Sequence, residues 1–219
     1  MSQADYVDEV IAQFLSPDVR GFTLPLQEGC VNAERDEYEK FCEQKYRKAV
    51  GCINYLAQTT RPDLSFAVCF VHQFLSDPCV SDWENVKHVL HYPKKTRHYA
   101  LHLSKKGEKL VAFTDSDWAT DQYDSRSISG YVVLLSGAAV NWRSRKQKTP
   151  APATSFTHAE YVAMFEGVTV CEWIVNFLQE LNQEKLLPKP YVIQCDNTSA
   201  INIAHSGKIS DKTKHIRVK

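Results

Sequence analysis

The sequence has no apolar run approaching the roughly 18 residues needed to cross a bilayer. Its opening, MSQADYVDEV, lacks the basic and apolar blocks of a secretory leader. An intracellular location, cytoplasmic or nuclear, is expected, with no membrane partner. There is no C-x-x-C pair either. The seven cysteines (Cys30, Cys42, Cys52, Cys69, Cys79, Cys171, Cys195) are odd in number and scattered. That argues against a disulfide framework or a structural zinc site, and for a reducing compartment. Finally, the chain lacks net charge, its 26 Lys+Arg cancelling 26 Asp+Glu. Taken whole, this balance counts against a polyanionic partner.

What is present qualifies that last exclusion. With 219 residues, 43% of them hydrophobic and 24% charged, the chain has the composition of a globular protein able to bury a core. Residues 1–50 carry 10 acids and 6 bases, and residues 51–84 carry 4 acids and 1 base. Residues 85–150 reverse this with 12 bases and 5 acids, and residues 151–219 balance at 7 each. Sign asymmetry of this kind says more about partners than the total. The basic excess includes Arg143, Arg145, Lys146 and Lys148.

Apolar spacing predicts a helix over 2–15, opened by a Ser2/Asp5 capping box and ended before Pro17. An irregular connection over 16–43 follows, then helices over 44–59, from Pro62 to about Ser76, and from a Ser81/Glu84 capping box to a stop at Pro93. The character then changes. Strands are expected at 110–115, 129–136 and 139–145, then a long helix over 157–181 with Tyr161, Phe165, Val168, Ile174, Leu178 and Leu181 on one side. A strand at 191–195, a short helix at 198–205 and the start of a strand at 215–218 complete an α/β order. The boundary between the two parts falls near residue 97. Of the four tryptophans, Trp83, Trp118 and Trp173 read as core. Trp142, beside Arg143 and Arg145, is the candidate for base stacking.

Three acids stand where a site would be built. Asp115 ends the first apolar strand in FTDSDW, Glu160 lies in the first turns of the long helix in THAEY, and Asp196 ends a later strand in IQCDN. Carboxylates at buried strand ends are costly unless paired or bound to cations, and hard divalent ions take such oxygens. The same positions suit turn residues and helix caps. Position alone leaves both readings open.

Several separated stretches carry a resemblance. GCINYLAQTTRPDLSFAV, FTDSDWATDQYDSRSISGYVVLLSGAAVNWRSRKQ, THAEYVAM, IQCDNTSAINIA and DKTKHIRV, in this order, resemble the C-terminal part of copia-type retrotransposon Pol polyproteins. The resemblance implies two parts. Residues 1–97 would be a helical remnant of the reverse transcriptase connection. Residues 98–219 would be a C-terminally truncated ribonuclease H-like domain, a mixed sheet with flanking helices. It also implies hydrolysis of the RNA strand of an RNA–DNA hybrid with two Mg²⁺ ions, at Asp115, Glu160 and Asp196, and association with other segments of a retroelement polyprotein. The order Asp–Glu–Asp disfavours an integrase, whose acids run Asp–Asp–Glu. Asp117 and Asp121 are read as supporting acids. Arg143, Arg145, Lys146, Lys148 and His215 would hold nucleic acid, with His215 in the family's T-K-H-I motif; His205 is a further histidine near the site.

The departures are specific. His158 stands where relatives carry Glu, Pro93 interrupts the fourth helix, and a fourth acid after Lys-His-Ile is absent, Arg217 and Lys219 following instead. They support an alternative: a catalytically inactive relic, at most a nucleic-acid-binding or structural module. Tyr6-Val7-Asp8-Glu9 mimics a polymerase Y-x-D-D signature, but it lies in an amphipathic helix instead of a hairpin. No polymerase activity is expected.

Overall fold

The computed structural model describes residues 1–32, 35, 39–103, 109–117, 126–148, 156–183, 185, 187 and 189–206. The chain divides into two compact units, Met1–Leu103 and Ser104–Lys219. Residues 98–103 stay with the first because Leu101 exchanges two hydrogen bonds with Met1: its N–H donates to Met1 O at 2.8 Å, and its carbonyl accepts from the terminal amine at 2.6 Å.

The first unit contains α1 (Ala4–Phe14), α2 (Glu43–Thr59), α3 (Ser65–His72) and α4 (Val80–Lys95). Val7, Val10 and Ile11 of α1 pack into a core with Tyr46, Val50 and Ile53 of α2, Val68 and Val71 of α3, and Val86 and Leu90 of α4. Three local expectations are corrected. The first helix begins with Gln3 at its cap and no side-chain cap, so Ser2 and Asp5 form no box. The fourth is capped by Cys79 with Asp82, two residues ahead of the Ser81/Glu84 pair. Pro93 lies inside that helix instead of ending it. Pro93 falls in the last turn, where the lost N–H removes one bond, and the Thr96 N–H and hydroxyl both donate to Tyr92 O.

The second unit is built on a sheet of β1 (Leu110–Asp117), β2 (Ile128–Leu135), β3 (Ala138–Lys146) and β4 (Val192–Gln194), in the order β3-β2-β1-β4. β1, β2 and β3 are antiparallel neighbours, and β4 lies parallel to β1. Ser136 and Gly137, at φ 52 and 81, make the two-residue turn between β2 and β3. Both residues of such a turn are left-handed, matching the twist of the flanking strands. The helix α5 (Phe156–Glu180) provides the crossover to β4, and α6 (Thr198–Ser206) follows. Three antiparallel strands, a crossover helix and a parallel strand beside the first give a ribonuclease H-like mixed sheet with flanking helices, preceded by a helical segment. The strand expected at 215–218 lies outside the described residues.

α5 packs on β1 and β2 through a stripe that shares Ile174 and Leu178 with the one expected and differs in its first half. Ala159, Glu160, Ala163, Met164, Gly167, Cys171, Ile174 and Leu178 are buried, whereas Phe165 is 53% and Leu181 51% exposed. The large apolar Phe165 and Leu181 do not mark the buried side. The helix instead approaches the sheet through small ones. Trp173, read as core, is 60% exposed and stacks on Phe177 at 5.5 Å. The absence of a bilayer-length apolar segment is also corrected. An 18-residue window of α5 reaches a mean hydropathy of 1.3, enough to cross a membrane by length and composition alone. Such a window is also typical of a core helix, and this one faces the sheet on one side.

Gly167 marks the closest approach. A Cβ there would stand 2.5 Å from Thr114 Cγ2. Gly167→Ala therefore overpacks the helix–sheet contact, at about 1–3 kcal/mol, against a helix-propensity gain of about 1 kcal/mol. A lower melting temperature is expected, restored by adding Thr114→Ser, which deletes the offending methyl. A four-variant thermal denaturation cycle checks this.

Candidate active site

The parallel β1–β4 pair brings two strand ends together, and α5 runs past both. Along β1, Leu110, Ala112, Thr114 and Ser116 are buried, while Phe113, Asp115 and Asp117 are exposed. The alternation follows from the two-residue period of a strand. Asp115 thus projects from the outer face, but its Oδ1 turns back to accept the Ser116 N–H at 2.8 Å. The same N–H lies 3.3 Å from Glu160 Oε1, so one amide stands between the two carboxylates. Glu160 is fully buried. Its other oxygen, Oε2, accepts from the Cys195 thiol at 3.8 Å. Donor atoms of Glu160, Cys195 and Asp196 all lie within 4.8 Å of one another.

The alternative reading of Asp196 as a helix cap does not hold. Asn197 caps α6, its Oδ1 accepting the Ala200 N–H at 2.9 Å. Asp196 is left exposed beside Glu160 and Cys195. Burial raises the Glu160 pKa above its ordinary value, and the negative charges of Asp115 and Asp196 add to the rise. Among the described residues no Lys, Arg or His forms an ion pair with Glu160. Glu160, with no cation paired to it among the described residues, and Asp196 beside it offer hard oxygens of the kind Mg²⁺ takes; Asp115, held on the Ser116 N–H, lies outside the group of donor atoms within 4.8 Å.

The four basic residues are not gathered. Arg143 pairs with Tyr131 and Arg145 with Ser129 across the β2–β3 ladder, placing both on the face that α5 covers. Lys146 alternates to the opposite face. Arg145 is tied to Glu166 of α5 at 3.2 Å, whereas Arg143 and Lys148 are exposed. His215 and Asp121 lie outside the described residues, as does Trp118. His205 is exposed at the end of α6. In the first unit, Asp8 of the polymerase-like tetrapeptide is held by Arg97, whose Nη2 donates at 2.6 Å. That hydrogen bond keeps the Asp8 carboxyl below its usual range.

Sequence reasoning missed Gln147. Its buried amide donates to Ser129 Oγ at 2.7 Å and to Ala159 O at 3.0 Å. One side chain thereby joins β2 to the first turns of α5, immediately before Glu160. A glutamine in a run of basic residues carries no periodic signal, so only its position in the KQ pair was available.

Comparison with known proteins adds the decisive observation. Over its whole length the chain is 34% identical to the retrovirus-related Pol polyprotein of transposon TNT 1-94 from Nicotiana tabacum, of which it spans 17%. It is 38% identical over 78% of its length to the Pol polyprotein of transposon RE2 from Arabidopsis thaliana, of which it spans 12%. The chain belongs to the copia-type retrotransposon Pol family. The Pol relatives are several times longer, so in them the matched region is one segment among others of a polyprotein. A secreted RxLR effector protein of Plasmopara viticola is 45% identical over 59% of the chain, which spans 90% of that protein. No family model matches the chain, and no solved structure does. Of the stretches quoted above, the first falls on α2 and α3, the second runs from β1 to β3, the third lies at the start of α5, the fourth covers the end of β4 and α6, and DKTKHIRV lies outside the described residues.

Proposed function

We propose that this Pol segment is a ribonuclease H-type nuclease that hydrolyses the RNA strand of RNA–DNA hybrids at Asp115, Glu160 and Asp196. The observation that carries the reading is the fully buried Glu160, set without a cationic partner among the described residues between carboxylates from two strand ends. Bound there, Mg²⁺ would lower the pKa of its water and neutralise charge on the phosphate. The chain's own contribution is placement. Ser116 N–H orients Asp115 and Glu160 together, Asn197 takes the capping role that would otherwise occupy Asp196, and Gln147 fixes the first turns of α5. Arg143 and Lys148, exposed on and just beyond β3, would meet backbone phosphates. The 2′-OH would distinguish the RNA strand from DNA.

The test is cleavage of a labelled RNA–DNA hybrid with Mg²⁺, wild type against Asp115→Asn. Wild type is expected to cut the RNA strand, and the variant to lose on the order of a hundredfold or more in rate. Hybrid binding without cleavage by wild type would overturn the nuclease reading and leave the binding module.

A further inference from the structure

One donor at the site has no part in oxygen-ligand chemistry. Cys195 places its thiol 3.8 Å from Glu160 Oε2, and its Sγ, a Glu160 oxygen and an Asp196 oxygen lie mutually within 4.8 Å. Around a four-coordinate zinc, sulfur sits about 2.3 Å and oxygen about 2.0–2.2 Å from the ion. A tetrahedral arrangement with those bond lengths separates neighbouring donors by roughly 3.5 Å. The Cys195–Glu160 spacing is close to that value, and exposed Asp196 leaves a path for an ion.

A second observation points the same way. Ser116 is 4% exposed, and its hydroxyl stands against Glu160, favouring the charged carboxylate. Yet, among the described residues, Ser116 Oγ completes no hydrogen bond of ordinary geometry. A buried hydroxyl left open toward the cluster is a place for a ligand on a bound ion, such as water, to bond. The donors come from the end of β4 and from α5, elements already held by the sheet, so no rearrangement is needed to converge them.

We propose that Glu160, Cys195 and Asp196 form a mixed sulfur–oxygen site that binds Zn²⁺ through the Cys195 thiolate and the two carboxylates, with solvent in the fourth position. The inference rests on the nuclease reading only for its consequence: zinc and Mg²⁺ would compete for Glu160 and Asp196, making free zinc an inhibitor. On binding, the S–H bond breaks, the S–Zn bond forms and the proton passes to solvent, with no change of oxidation state. Mg²⁺, a hard ion, gains nothing from the thiol.

The experiment titrates the metal-free full chain with Co²⁺ as a spectroscopic stand-in for zinc. It reads the near-ultraviolet thiolate-to-cobalt absorption and then displaces the band with Zn²⁺. Wild type is expected to show the band, Cys195→Ser to lack it, and Cys42→Ser, which removes an exposed thiol in the other unit, to keep it. Loss of an outer-shell partner alone costs about 10–100-fold in metal affinity. Loss of this ligand is therefore expected to weaken zinc binding by on the order of a hundredfold. Far-ultraviolet circular dichroism establishes that the serine variant is folded; should it not be, Asp196→Asn, at an exposed position, is expected to weaken the band instead. A wild type without the band, or a folded Cys195→Ser that retains it, overturns the proposal. The two readings fail separately. A cobalt band without hybrid cleavage sinks only the nuclease, and Mg²⁺-dependent cleavage without the band sinks only the zinc site.

Discussion

Glu160→Gln is expected to reduce hybrid cleavage by on the order of a thousandfold and, in metal-free protein, to raise the melting temperature of the α/β unit. The two effects share one cause. Glu160 is fully buried, and burial, with the charges of Asp115 and Asp196, raises its pKa above the ordinary value of 4.5. A group with a raised folded pKa is ionised in the unfolded chain before it is ionised in the folded one. The fold is therefore unpenalised below pH 4.5 and loses stability as pH rises from there through the folded pKa. Glutamine keeps an oxygen for the Ser116 N–H and carries no charge, so its melting temperature should not fall over that window. Thermal denaturation with a chelator at pH 5 and pH 8 checks the sign: the gap between variant and wild type widens at the higher pH. Added Mg²⁺ should narrow it, because an ion that binds only the native wild type stabilises it by mass action. A variant less stable than wild type at pH 8 without metal would show that Glu160 is held by partners stronger than those seen.

Asp82→Ala carries the largest expected stability loss in the helical unit. The Asp82 side chain is 2% exposed and accepts from Arg35 through Nε and Nη2, the shorter bond at 2.8 Å. It also accepts the Cys79 N–H at 2.8 Å, closing the start of α4. Arg35 itself lies over the Phe74 ring at 4.9 Å and donates to Asp77 O. Truncation would remove the carboxylate that accepts from both the Arg35 guanidinium and the Cys79 amide. Breaking a buried ion pair from one side costs about 3–5 kcal/mol, well above the roughly 1 kcal/mol of a lost cap. Asp82→Asn keeps an oxygen for Cys79 N–H and should cost less than alanine. Denaturant titration, with hydrogen exchange read on α4 amides, distinguishes the two. Equal losses would mean that the cap matters and the charge does not.

Much of the α/β unit was legible because its strands are short β-branched runs bounded by turn residues. Leu110–Asp117 and Ile128–Leu135 begin and end within two residues of the expected positions. The three acids were legible too, but only because the flanking strings resemble one family; by position alone, Asp196 fits a helix cap as well as a ligand. What remained hidden depends on neighbours distant in sequence. The buried stripe of α5 is written in Ala159, Ala163 and Gly167, whose importance is how closely they let a sheet approach. A count of large side chains passes over them. Arg145 reads as free basic charge until Glu166, on another element, is beside it. The start of α4 lies ahead of the Ser81/Glu84 pair, at a cysteine, a residue seldom counted as a cap.

The parallel pairing of β1 with β4 also orders events in time. β2 and β3 are joined by a two-residue turn and can zip together locally, and β1 adds to them as an antiparallel neighbour. β4 is separated from β1 in sequence by β2, β3 and the whole of α5, so its pairing closes a long loop. Non-local pairing of this kind is slow, because the loop must close before any contact rewards it. Asp196 therefore joins Asp115 and Glu160 last, and against their repulsion. A nascent or clipped chain that ends before residue 192 lacks β4 and Asp196, and with them the cluster at Glu160. Maturation of the site then becomes a separate kinetic event, one that a polyprotein context can delay or hasten.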